Sequence, residues 1–397
     1  MTHSQSAWSV FLIFLRLGLT SFGGPIAHLG YFRDEFVSRR RWLSERSYAD
    51  LVALCQFLPG PASSQVGIAL GLSRAGYAGA IAAWVGFTLP SAVLLILFAL
   101  GLTHYGSILP PGALHGLKVV AVAVVAQAVW GMARNLCTDR LRITLMMVTA
   151  CIVLVEPSAW AQISVMATAG VAGLLLFKPV SVGEHDPLPV TVGRPAGVAW
   201  LTLFILLLVG LPLANEWLAN HTLAMVDAFY RTGSLVFGGG HVVLPLLQSE
   251  TVQSGWVDNE LFLAGYGAAQ AIPGPLFTFA AFLGAAMNQA PTGISGGLIC
   301  LLAIFAPSFF LILGALPFWE ALRRSQRTQA ALIGVNAAVV GLLLAALYQP
   351  VWTSAIGKPE DFGLALLALV ALMSWKLPPW LVVIAGGLAG GLLSATG

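Results

Sequence analysis

Apolar segments close to membrane thickness recur along the whole chain, at 78–102, 114–130, 198–213 and 297–316. A helix needs about 20 apolar residues to cross the hydrocarbon. Lipid offers no hydrogen-bond partners to a backbone, and a helix satisfies its own, so these segments dictate an all-α polytopic membrane protein. Composition agrees: 58% of the 397 residues are hydrophobic and only 9% are charged, against about 25% charged in a soluble domain.

Several classes drop out at once. A net charge of +3, dispersed along the chain, does not suggest nucleic acid. There is no Walker-type glycine loop, so transport driven by ATP on this chain is not expected. Cys55, Cys137, Cys151 and Cys300 have neither CxxC nor Cys/His spacing and read as packing residues. No metal and no cofactor is expected. Residues 1–6 carry no positive charge and Arg16 interrupts the first apolar run, so the first helix is expected to stay rather than be cleaved as a signal peptide.

The chain repeats itself. Sliding it by 215 positions places Phe14 on Phe229, Arg16 on Arg231, Gly18 on Gly233, and Phe22-Gly23-Gly24 on Phe237-Gly238-Gly239. A slide of 214 then pairs Trp42 with Trp256, Gln56 with Gln270, and Pro59-Gly60-Pro61 with Pro273-Gly274-Pro275. Further on, the Pro-Ser of Phe87–Ser91 recurs at Pro307-Ser308, and the run from Gly116 resembles the run from Gly334. The expected organisation is a first repeat (1–177), a linker with one extra helix (178–217) and a second repeat (218–397). Expected helices are 8–22, a broken 51–58 plus 62–72, 77–103, 114–133, 143–155 and 159–177, then 197–214, then 222–237, a broken 261–272 plus 276–289, 293–317, 328–347, 362–375 and 379–395.

With six crossings, one and six, the odd linking helix inverts the second repeat, a pattern common in secondary transporters. The loop after the first FGG holds Arg33, Arg39, Arg40, Arg41 and Arg46, whereas 246–260 holds no Lys or Arg, which sets the two loops on opposite faces. The basic stretches 134–142 and 323–327 fall on the other side of the same count. Re-entrant rather than spanning Pro-Gly-Pro elements would shift that parity.

Three features carry the candidate chemistry. Arg16 and Arg231 stand inside apolar helices, where a charge costs about 2.5–3.5 kcal/mol and faces a partner or a wet cavity. Snorkelling to the interface is the plain alternative for Arg16, and pairing with Asp227 for Arg231. Pro59 and Pro61, like Pro273 and Pro275, stop one helix after Gln56 or Gln270 and start another at Ser63-Ser64 or Thr278. The fresh N-terminus presents free amides and a positive dipole end to an anion. Gly23 and Gly24, then Pro25, and Gly238 and Gly239 in the second copy, let backbone leave the helix or approach closely. Ordinary turns and tight helix packing explain each feature alone, but not their travelling together twice. Gly60 and Gly274 complete the candidate binding set. His28, Asp50, Asp227 and His241 are the proton-coupling candidates. No catalytic residue is assigned: neither HExxH nor GxSxG occurs, which disfavours an intramembrane enzyme, and a mere scaffold would leave the repeated polar residues unexplained.

"FLRLGLTSFGGPIAHLGYF", "RRRWLSERSYADLVALCQFLPGPASSQVGIALG" and "GFTLPS" together resemble the chromate transporter (CHR) family in its long, two-domain form. The resemblance spans nearly the whole chain. It implies two oppositely oriented halves in the bacterial cytoplasmic membrane and proton-coupled export of chromate, giving chromate resistance, with sulfate as a look-alike oxyanion. The expected partners are therefore the oxyanion, protons and the lipid bilayer, with no nucleic acid and with a homodimer left open. A sulfate or other small-anion carrier or exchanger is the alternative. Of 19 basic residues 15 are Arg, whose planar fork matches pairs of oxyanion oxygens.

Overall fold

The computed structural model describes residues 6–21, 24–105, 111–156, 158–178, 192–218, 220–236, 243–319 and 325–396. Every regular element among them is helical.

α1 (Ala7–Thr20) starts where the Ser6 side chain accepts from the Ser9 amide at 3.2 Å, and stops at Ser21 in extended backbone. α2 (Gly24–Arg33) begins afresh with Pro25 in its first turn, where the missing amide costs nothing. It runs into a π-helical turn, Asp34–Arg39. The expected helix 8–22 thus ends at Thr20, and the segment expected to be a loop is itself helical. The reason is apolar cover: Phe32 and Phe36 pack on Phe14 of α1, with ring centroids 5.6 and 5.1 Å away.

α3 (Glu45–Phe57), capped by Ser44, ends before Pro59, and α4 (Ala62–Tyr105) follows Pro61. α4 is two helices joined by a reversal: Ala75 and Gly76 leave helical geometry, and the backbones of Gly71 and Gly79 lie against each other. Eight residues of continuous helix would hold those two about 12 Å apart. α5 (Pro111–Leu136), α6 (Arg140–Val155) and α7 (Ala159–Leu176) complete the first copy, and the lone linking helix is α8 (Arg194–Leu218).

The second copy repeats the plan with α9 (His221–Leu235), α10 (Val243–Thr251), α11 (Asn259–Ala271), a 3-10 turn Leu276–Thr278, α12 (Phe279–Ala285) and α13 (Gly293–Ala315). Gly284 lies against Gly296, as Gly71 does against Gly79. α14 (Gln326–Ala346), α15 (Pro359–Met373) and α16 (Pro379–Thr396) close the chain. Among the described residues five helical stretches are long and apolar enough to cross a bilayer: Ala62–Thr103, counted across its reversal, Gly112–Leu136, Arg194–Leu218, Gly293–Phe318 and Gln326–Ala355. The 13-residue helices α3 and α11 are about 20 Å long, short of the roughly 30 Å of hydrocarbon.

The two copies exchange helices. α5 of the first copy packs against α15 and α16 of the second, and its mate α14 packs against α6 and α7 of the first. Repeated glycines make both crossings: Gly116 meets the backbone of Gly386 and Gly390, and Gly334 meets that of Ala169 and Gly173. Small residues let membrane helices approach this closely, because lipid supplies no hydrophobic drive and contact must come from packing. His115 of α5 also reaches Asp361 of α15 at 2.7 Å. The repeats are units of sequence, not separate bodies. α8 lies outside this knot against α9 and α13, where Tyr230 donates to the Phe204 carbonyl at 3.0 Å.

Candidate functional site

The exchange brings the two Pro-Gly-Pro loops to the heart of the molecule, where each locks onto the other copy. The Gly60 amide donates to the carbonyl of Val236, the residue that ends α9, at 2.6 Å. The Gly274 amide donates to the carbonyl of Ser21, the residue that ends α1, at 3.0 Å. Ser21 and Val236 are repeat mates, so the two bonds are one interaction made twice. The breaks in α1 and α9 leave those carbonyls without an intrahelical partner, and the loops supply one.

Both loop glycines sit in the left-handed half of backbone space, Gly60 at φ +116° and Gly274 at φ +109°, where a side chain is strained. Each also faces the other copy's Pro-Ser motif. A methyl group on Gly60 would stand 2.9 Å from Ser308 Oγ, and one on Gly274 2.7 Å from Ser91 Oγ. Ser63, Ser64 and Thr278, in the turns after the loops, are buried. Gln65 Nε2 donates to the Pro59 carbonyl at 2.7 Å and clamps the first loop. Several buried polar atoms here have no hydrogen-bond partner: Ser21 Oγ, Ser64 Oγ, Gln65 Oε1, Thr88 Oγ1 and Ser308 Oγ. His28 is 1% exposed, stands edge-on to Phe87 with centroids 5.3 Å apart, and forms no well-aligned hydrogen bond.

The two arginines have different fates. Arg231 is half-buried and its guanidinium reaches Asp227 at 3.2 Å and Glu250 at 3.1 Å, so the expected partner Asp227 is joined by a second acid from α10. Arg16 is exposed on the outer side of α1 and does not join the junction, because its helix turns Phe14, Leu17 and Gly18 inward. Gln56 is exposed and Gln270 half-buried, with Gln270 Nε2 unpartnered. Gly24 opens α2, and Asp50 lies in α3. Gly23, Gly238, Gly239 and His241 lie outside the described residues.

Sequence reasoning missed Glu250, Lys118 and the roles of Ser91 and Ser308. The Pro-Ser repetition was a signal for the serines. Lys118, the one lysine in an apolar run, is buried in α5 and reaches Glu260 at 3.2 Å. The basic segment after α2 is partly neutralised: Arg33 pairs with Glu45 at 2.8 Å, and Arg40 and Arg39 pair with Glu35 at 2.6 and 3.2 Å. Partial burial pushes the Glu35 carboxyl up, but its bonds to Arg40 and Arg39 outweigh that and hold it below the usual range. A cavity of about 330 Å³ opens elsewhere, lined by neutral groups including Gln162, Gln248, Asn259, Gln349 and Ser354.

Two helical copies with discontinuous helices meeting at a buried polar junction define a multi-pass membrane protein built on the plan of secondary transporters. The chain belongs to the chromate transporter family, which it matches over residues 8–174 and 223–391. It is 29% identical to the chromate transport protein of Pseudomonas aeruginosa, over 97% of this chain and 92% of that one. It is 24% identical to the chromate transport protein of Cupriavidus metallidurans, over 96% and 92%. An uncharacterized transporter of Bacillus subtilis, YwrA, is 29% identical over 42% of this chain and 93% of its own length, so a relative of about one copy exists. No solved structure matches the chain. These relatives are transport proteins, and this chain is a transporter rather than an enzyme.

Proposed function

We propose that this protein exports chromate from a bacterial cytoplasm across the inner membrane in exchange for protons, and so confers chromate resistance. The observation that carries this reading is the reciprocal lock of the two Pro-Gly-Pro loops. The side chains that face Gly60 of the first loop, Gln65 and Ser308, carry no charge. Amides at a helix start, hydroxyls and the positive end of a helix dipole hold a tetrahedral oxyanion without a paired cation. The printed names of full-length relatives supply the oxyanion, chromate.

Inversion of the copies is supported by the reciprocity of the contacts together with the Arg-rich loop of one copy and the stretch without Lys or Arg in the other. Alternating access then moves mixed bodies, α5 with α15 and α16 against α14 with α6 and α7, rather than one repeat against the other. Arg16 drops out of this site. Proton coupling is assigned to the Arg231 cluster, where one guanidinium faces two carboxylates, Asp227 buried and Glu250 half-buried, and leaves one negative charge uncompensated. Such a pair takes up a proton readily, because like charges in a low dielectric repel.

Purified protein in proteoliposomes, given labelled chromate with pH and voltage gradients imposed separately, is expected to move chromate against a proton gradient, with sulfate competing. Sulfate flux with no chromate flux would replace the reading by that of a sulfate carrier, and no flux of either would remove it. Glu250→Gln leaves Arg231 and Asp227 as a balanced pair, so the protein should fold. Its chromate flux is expected to lose most of its response to an imposed pH gradient while a concentration-driven flux persists. Unchanged pH response would clear the cluster of a coupling role.

A further inference from the structure

The two loops are repeat mates, yet the ground around them is not equal. After the first, α4 starts with Ala62-Ser63-Ser64-Gln65, and its first turn offers free amides, the unpartnered Ser64 hydroxyl and the positive end of the helix that runs from Ala62 to the reversal at Ala75. Facing it from the second copy is Ser308, fully buried in α13, with its Oγ unpartnered and 2.9 Å from where a side chain on Gly60 would begin. After the second loop the chain makes a single 3-10 turn, and α12 is only seven residues long. Leu276, Phe277 and Phe279 are buried there, and the Thr278 hydroxyl is already bonded to the Pro275 carbonyl at 2.6 Å. Ser91, the mate of Ser308, is spent in the same way: its hydroxyl donates to the Thr88 carbonyl at 3.0 Å.

We propose that the oxyanion is held at the first Pro-Gly-Pro loop alone, between Ser64 at the start of α4 and Ser308 of the second copy, while the second loop only braces the fold. This rests on the oxyanion-transport reading above. A buried hydroxyl with no partner is costly to keep, and Ser64, in the first turn of α4, and Ser308, beside Gly60, both become satisfied when an anion accepts from each. Only Gly fits between Gln65 and Ser308, since an added methyl would meet both within 3 Å, so the anion enters only as the copies part. The site therefore uses one group from each copy, and parting of the copies opens it. At the second loop Phe277 and Phe279 take the places of Ser63 and Gln65, and Thr278, the mate of Ser64, already has its partner.

The test is calorimetric titration of the purified full-length chain with chromate and, separately, with sulfate. Hydrogen bonds to a charged group are worth enough that Ser308→Ala and Ser64→Ala should each raise Kd about tenfold or more. Ser91→Ala should stay within about twofold of the wild type. Each change removes one oxygen, and an unchanged unfolding temperature in detergent confirms that the fold survives. An equal loss in Ser91→Ala, or unchanged binding in both Ser308→Ala and Ser64→Ala, overturns the single-site assignment while leaving the transport reading intact. Wild-type protein that binds neither anion would remove the transport reading and this inference with it.

Discussion

Gly116→Leu and Gly334→Leu are each expected to leave almost no folded protein, whereas Gly210→Leu should be tolerated. The first two glycines stand at the crossings through which the copies exchange helices, and a side chain on either would run into main-chain carbonyls of the partner helix, at Gly386 for one and at Ala169 for the other. A backbone carbonyl has no rotamer to escape into, so the helices must separate along their length. Overpacking typically costs about 1–3 kcal/mol and more where nothing can shift, against a total stability of about 5–15 kcal/mol. Gly210 in α8 has open space around it, with no atom within 4 Å of an added methyl. Size-exclusion profiles and unfolding temperatures of detergent extracts read this directly. A monodisperse Gly116→Leu with the wild-type unfolding temperature would mean the exchange crossing is not as tight as described.

Arg231→Leu is expected to destabilise the protein by about 3–5 kcal/mol, the range seen when one partner of a buried charge pair is removed. The loss arises from what remains: Asp227 and Glu250 would face each other with no cation between them. Arg231→Leu combined with Asp227→Asn and Glu250→Gln takes away all three charges and should recover most of the stability, since a neutral cluster of similar volume carries a far smaller desolvation cost than unpaired charges. Thermal unfolding of the single and triple variants separates this from a packing effect. If the triple variant is no more stable than Arg231→Leu, the charges are not what holds α9 to α10. Arg16→Ala, by contrast, removes an exposed side chain and is expected to change unfolding little.

Much of the fold was legible because membrane helices obey few rules. Length and hydropathy placed α5, α8, α13 and α14, and proline placed the stops of α3 and α11 one residue from where they fall. The helices α2 and α10 were not legible, since their drive to form comes from burying Phe32, Phe36, Leu244 and Leu247 against neighbours distant in sequence. Within the site, the doubled glycines and prolines marked the right loops, but they could not say which loop carries unspent polar atoms. That depends on whether a hydroxyl finds a carbonyl, as Ser91 does and Ser308 does not.

By itself the sequence determined that the chain is helical, membrane-embedded, doubled, and interrupted twice per copy, because these follow from backbone hydrogen bonding in lipid and from the fixed chemistry of proline and glycine. Only the tertiary structure decided which copies' helices pack together, and that matters more for function than the helix map does. Repeated sequence carries the same apolar faces twice, so α5 could pair with its own α6 and α7 or with α15 and α16. The choice fell to shape, through Gly116 against Gly386 and Gly334 against Ala169. The same packing turned Arg231 inward to two acids and left its mate Arg16 on the outside, a difference set by surroundings that the matching positions do not share.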